Sequence, residues 1–207
     1  MPQRSRIIIP AAAAKGHLGF YRKGGLPHLD VPNLIQLVTF RLRDSLPRCL
    51  GPDDGGQGID DSLDRGLGGC ILKHGCFAEI VADALRPGHH HTHSLIAWVV
   101  MPNHVHVLAD TGGQSTIGDL VGRWKGSSAR RINAAGGRSG ALWQPGYYDR
   151  YIRDAEHLEA AVAYVENNPV KASLCVRPGD WRYSSASVPA DDGPARSTVA
   201  GSTERIG

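Results

Sequence analysis

The chain has 207 residues, with 23 Lys plus Arg against 20 Asp plus Glu and a formal net charge of +3. That length suits one domain with an adequate core, and the mild basic excess permits nucleic-acid contact without demanding it. There is no apolar run of membrane-spanning length, no secretory signal pattern and no CxxC pair among Cys49, Cys70, Cys76 and Cys175. These features argue against a membrane protein and a zinc ribbon, and they make a reduced cytoplasmic protein the expectation.

Residues 1–30 are rich in Gly, Pro, Ala and basic side chains without a sustained period, so they are expected to form a basic, mostly irregular arm. The first strand is read at Leu34–Arg43, where alternation sends Phe40 and Leu42 one way and Arg41 and Arg43 the other. Gly51 to Gly69 reads as a Gly/Asp-rich loop. From Cys70 to Leu85 apolar residues recur at the helical period, and Pro87-Gly88 closes the segment. The tract His89-His90-His91-Thr92-His93 invites a metal reading, but between a helix and a strand it is read as a solvated turn.

Ile96-Ala97-Trp98-Val99-Val100-Met101-Pro102-Asn103-His104-Val105-His106-Val107-Leu108 reads as strand, tight Pro-Asn turn and strand. Alternation puts His104 and His106 on one face and Val105 and Val107 on the other. Two imidazoles buried in an apolar run need partners, and a divalent metal is the simplest partner they can share. Two ligands do not complete a site, so a third His, a carboxylate or an amide must come from elsewhere.

Ser115 or Thr116 is a suitable cap for a helix to about Asn133 that carries Trp124 and the basic residues Arg123, Lys125, Arg130 and Arg131. Such a cluster is either a solvated face or a phosphate-contacting one. The stretch Leu142 to Arg153 mixes aromatics with arginines, as both an edge strand and a base-stacking surface do. Asp154 is placed to cap a helix with the apolar stripe Leu158, Ala161, Val162 and Val165. On it Tyr164 and Asn168 stand i and i+4, and Pro169 is expected to leave Asn168 in a frayed last turn. Trp181 and Tyr183 lie in a packing segment, and residues 188–207 are expected to be a disordered tail.

Together Val99–Leu108, Leu142-Trp143-Gln144, Tyr148-Asp149-Arg150, Tyr164–Ala172 and Trp181–Ser185 resemble the single-tyrosine HUH transposases, and within them most closely the REP-associated tyrosine transposases. The resemblance implies an α+β, ferredoxin-like HUH domain over residues 31–187, with an antiparallel sheet, helices and flexible termini. It implies cleavage and rejoining of single-stranded, hairpin-containing DNA through a 5′-phosphotyrosine. Tyr164 would be the nucleophile, and His104, His106 and Asn168 would be the protein ligands of Mg²⁺ or Mn²⁺. Arg41, Arg43, Arg123, Lys125, Arg130 and Arg131 are the residues expected to contact DNA phosphates. Tyr147, Tyr148 and Tyr151 compete for the nucleophile role, but only Tyr164 shares a helix face with an amide. Glu166 is read as a surface residue. The alternative is a domesticated hairpin-binding protein with little or no cleavage, and a third reading is a metal hydrolase that uses water. A monomer or a homodimer, cytoplasmic and nucleoid-associated when bound to DNA, fits the first two readings.

Overall fold

The computed structural model describes residues 18–23, 26–46, 62–66 and 68–187. The expectations for residues 1–17, for much of the loop at 51–69 and for the tail at 188–207 lie outside them. A first hairpin pairs β1 (Gly19–Lys23) with β2 (Leu26–Asp30). The main sheet comprises β3 (Ile35–Arg41), β4 (Ser94–Val100), β5 (His104–Asp110) and β6 (Tyr148–Tyr151). Between them run α1 (Gly75–Leu85) and α2 (Ile117–Ala135), and α3 (Ala155–Lys171) follows the last strand. Strand order is β4-β5-β3-β6, all antiparallel. From β3 to β6 this is the ferredoxin-like βαββαβ plan, and the fold is α+β as the motifs imply.

The alternation of each strand sorts its side chains into two layers. Val38, Phe40, Leu42, Val105 and Val107 face α1 and α2 and form the larger core with Leu120, Trp124 and Ile132. The opposite face, with Ala97, Val99 and Leu108, packs against Ala161 and Val165 of α3. Both expected caps are made: Thr116 Oγ1 accepts from Asp119 N at 3.1 Å, and Asp154 Oδ1 from His157 N at 2.8 Å. The free edge of β4 is covered by the segment at Trp181–Ser185. There Val100 N donates to Tyr183 O at 2.8 Å and Trp181 Nε1 to Val100 O at 3.0 Å.

Three expectations about the elements need correcting. The arm read as irregular over residues 1–30 carries the β1–β2 hairpin at 19–30, and its His28 is buried on Asp149. Pairing along an edge and one buried polar anchor, neither of them periodic in sequence, create that order. The helix read from Cys70 begins as a separate 3₁₀ turn at Ile71–Lys73, and α1 starts at Gly75. Pro169 does not fray α3: the helix runs on to Lys171, and Asn168 is 1% exposed. Proline removes one helical donor, and the packing of Val165 and Asn168 holds the turn together regardless.

Candidate active site

The Pro102-Asn103 turn is fixed from two sides, because Leu72 N donates to Pro102 O at 3.1 Å and Leu42 N to Asn103 O at 2.9 Å. β5 leaves this turn with both histidines on the α3 side of the sheet, His104 in register with Arg41 and His106 with Thr39. Each is 0% exposed, and their Nε2 atoms lie 3.0 Å apart.

The outer nitrogens decide what those inner ones can do. Asn103 Nδ2 donates to Leu63 O at 3.1 Å, which turns its Oδ1 to His104 Nδ1 at 2.7 Å. His104 therefore carries its proton on Nδ1 and presents a lone pair at Nε2. His106 Nδ1 lies 2.8 Å from Thr39 Oγ1, a hydroxyl that can donate or accept. With no cation, His106 Nε2–H donates to His104 Nε2; moving that one proton to Nδ1 turns both Nε2 lone pairs inward. Neither ring is charged at neutral pH: burial, then His106 and Lys171, push His104 well down, and burial followed by Lys171 pushes His106 down to about 3.

A third group closes on the pair. Leu63, 1% exposed, inserts into the core and leaves its neighbour Asp64 beside the histidines. Asp64 Oδ1 is 3.7 Å from His104 Nε2, and Oδ2 is 2.9 Å from Lys171 Nζ at the end of α3. One donor atom each from Asp64, His104 and His106 lies within 4.8 Å of the others. Two neutral imidazoles and a carboxylate suit a divalent cation. Sequence reasoning missed Asp64 because it sits among several aspartates in a Gly-rich stretch; the available signal was the apolar Leu63 directly before it, one of three apolar residues in that stretch with Ile59 and Leu67.

From α3, the Tyr164 ring meets the His106 ring edge to face at 5.2 Å. Asn168, one turn on, is buried, and neither its side-chain N nor its O has a hydrogen-bond partner. An unpartnered buried amide costs about 1–3 kcal/mol, and a ligand role is what such a group fits. The residues present thus fit a divalent metal, with His104, His106 and Asp64 as one donor set and Asn168 on the helix facing it.

The other expected residues divide by location. Arg41 opposes His104 on the same face, with its Nη1 on Ser45 Oγ at 3.1 Å, and Arg43 is exposed beyond it. Arg123, Lys125, Arg130 and Arg131 lie on α2, across the sheet. Lys125 Nζ donates to Gln144 O and Gly146 O at 2.7 Å each, and Arg131 pairs with Asp83 at 3.0 Å. Arg123 and Arg130 flank an open trough of about 430 Å³ with Gly118, Gly122 and Gly126 along its floor. Tyr147 is 8% exposed, bonded to Tyr21 Oη at 3.2 Å, and has its phenol pushed up chiefly by burial. Tyr148 is in register with Thr39 and stays on the histidine face. Glu166 is half-buried and accepts from Ser185 Oγ at 3.3 Å, rather than standing at the surface.

Comparison with known proteins agrees with this layout. The REP-associated tyrosine transposase of Escherichia coli K12 is 30% identical over 88 residues, 42% of this chain and 51% of that protein. The match thus spans about half the length of that curated relative. A solved structure of a REP-associated tyrosine transposase bound to a REP hairpin superposes with a TM-score of 0.53 at 20% identity, covering 86% of this chain and 96% of the other. At that identity the likeness is one of fold. Residues 78–168, which carry the histidine pair and the tyrosine helix, match the family model described as "Transposase IS200 like", in agreement with the resemblance carried by the motifs.

Proposed function

We propose that the protein is a metal-dependent single-stranded DNA endonuclease and strand transferase acting through Tyr164. The observation that carries this reading is the Tyr164 ring against His106 at 5.2 Å, with Asp64 beside the histidines and the buried, unpartnered Asn168 amide one turn along α3 from Tyr164. A phosphodiester resists attack because its own charge repels the nucleophile and more charge develops as the bond to it forms. A divalent ion on His104, His106 and Asp64, with Asn168 as a further ligand, would supply charge neutralisation at the scissile phosphate.

The chain's own groups do the rest. Asn103 and Thr39 hold the imidazoles in orientation, and α3 delivers the phenol from the opposite wall. Tyr164 Oη forms a bond to phosphorus, the bond to the 3′ oxygen breaks, and the phenolic proton is lost as a 3′-hydroxyl is released. One phosphoester bond replaces another, so the reverse attack by a 3′-hydroxyl rejoins strands without ATP, with phenolate as a competent leaving group. The REP hairpin bound by the similar solved structure supports a folded single strand as the substrate.

The test is a denaturing gel of protein, Mn²⁺ and labelled single-stranded hairpins from the DNA flanking its gene. A protein–DNA adduct that disappears with Tyr164→Phe and with EDTA is the expected result. An adduct that survives Tyr164→Phe and disappears with Tyr148→Phe would move the nucleophile to β6. Tight hairpin binding without an adduct would make the protein a binder, and free 5′-phosphate ends without an adduct would make water the nucleophile.

A further inference from the structure

Asp64 serves two partners with its two oxygens. Oδ2 pairs with Lys171 Nζ at 2.9 Å while Oδ1 faces His104 Nε2 at 3.7 Å. The carboxylate is almost fully buried, with 7% of its side chain exposed, whereas Lys171 is 51% exposed. Lys171 is the last residue of α3, the helix that also carries Tyr164 and Asn168. A fixed positive charge, half open to solvent, therefore sits one carboxylate away from the place where a divalent cation would bind.

Two effects of that ammonium oppose each other. As an outer partner it aims Asp64, which favours a bound cation. As a charge it repels the same cation across a few ångströms of partly desolvated space and competes with it for the carboxylate. The repulsion acts on a double charge, whereas the aiming rests on an ion pair that is half exposed on the Lys171 side and so worth little, and on this balance repulsion outweighs aiming. An arriving phosphate reverses the balance, because its negative charge is attracted by both.

We propose that Lys171 makes cation binding at Asp64, His104 and His106 conditional on a DNA phosphate, so that metal and strand bind together and each weakly alone. The proposal rests on the reading of this site as a metal centre that acts on DNA. It needs no movement of the sheet, only a change of partner by one carboxylate at a helix end. Positive coupling of this kind is reciprocal: the factor by which DNA tightens the metal equals the factor by which the metal tightens DNA.

The experiment is a Mn²⁺ titration followed by electron paramagnetic resonance of the free ion, on the full chain, with and without poly(dT). Lys171→Met is expected to tighten Mn²⁺ binding in the absence of DNA by about fivefold or more and to shrink the poly(dT) effect correspondingly. Lys171→Arg, which keeps the charge, is expected to behave as the parent. Unchanged or weaker Mn²⁺ binding in Lys171→Met would overturn the proposal and leave Lys171 as an aiming residue for Asp64. No Mn²⁺ binding by either protein would overturn it as well. If Lys171→Met binds Mn²⁺ more tightly while poly(dT) has no effect on the parent, the charge competition stands and the DNA reading of the site fails.

Discussion

His104 and His106 are fully buried imidazoles whose protonation the fold resists. An unfolded chain protonates ordinary histidines below about pH 6.5. The fold holds His106 unprotonated down to about 3 and His104 well below its usual range. Below about pH 6.5 the unfolded state therefore binds protons that the native state refuses, and stability falls as pH falls, by ~1.4 kcal/mol per pH unit for each imidazole. Above that range neither state is protonated and this contribution is level. Urea unfolding of the metal-free protein at a series of pH values reads the slope. A stability that stays constant from about pH 7 to about pH 5 would mean that the buried pair takes up protons in place, contrary to the neutral lone pairs argued for the site.

The β1–β2 hairpin is attached to the main sheet through Asp149 of β6, together with Gln36 of β3, whose Nε2 donates to Leu29 O at 2.7 Å. Asp149 Oδ1 accepts from His28 Nδ1, and its Oδ2 accepts from Gln36 Nε2 at 3.0 Å and Leu29 N at 3.3 Å. Tyr147 and Tyr21 both pack against the His28 ring, with centroids at 4.6 and 5.1 Å. Asp149→Ala deprives three part-buried donors at once, and a loss of about 3 kcal/mol is expected. Amide exchange should accelerate in Gly19–Lys23 and Leu26–Asp30 ahead of the rest; uniform acceleration through β3 and β5 would instead make Asp149 part of the global core. This element also marks the limit of what periodicity reveals. Strands β3, β4 and β5 and the stripe of α3 were legible because their apolar periods match the faces they bury. The hairpin was not, since a five-residue strand such as Leu-Pro-His-Leu-Asp gains its order from a partner far along the chain. At the site, the shared face of the two histidines and the shared helix edge of Tyr164 and Asn168 were legible from alternation and helix spacing. Asp64 was hidden because its placement depends on the long-range anchoring of Leu63, and Asn103 because its amide fixes a tautomer only once the turn is folded.

Across the whole molecule, the two faces of the sheet are covered unequally. One is packed by α1 and α2, whereas α3 packs the other chiefly against β4 and β5, with Ile35 and Leu37 of β3 reaching the edge of its cluster. Register aligns Thr39 with Tyr148 and Leu37 with Arg150 on the same face as Arg41 and the histidine pair, and of these Arg150 is exposed. A single strand laid there meets Arg41 and Arg150 beside the candidate nucleophile. Arg123 and Arg130, on α2 across the sheet, are reachable only by DNA long enough to pass around an edge. The two sets should therefore separate by substrate. Arg41→Ala is expected to weaken binding of every single strand and to lower the slope of log K against log salt by about 0.7, the value of one phosphate contact. Arg123→Ala with Arg130→Ala should leave a short unstructured strand unaffected and weaken only a long hairpin. Equal losses on both substrates from the α2 pair would put the strand path over the glycine-floored trough instead of the histidine face, and the cut site would then have to be sought on that side of the sheet.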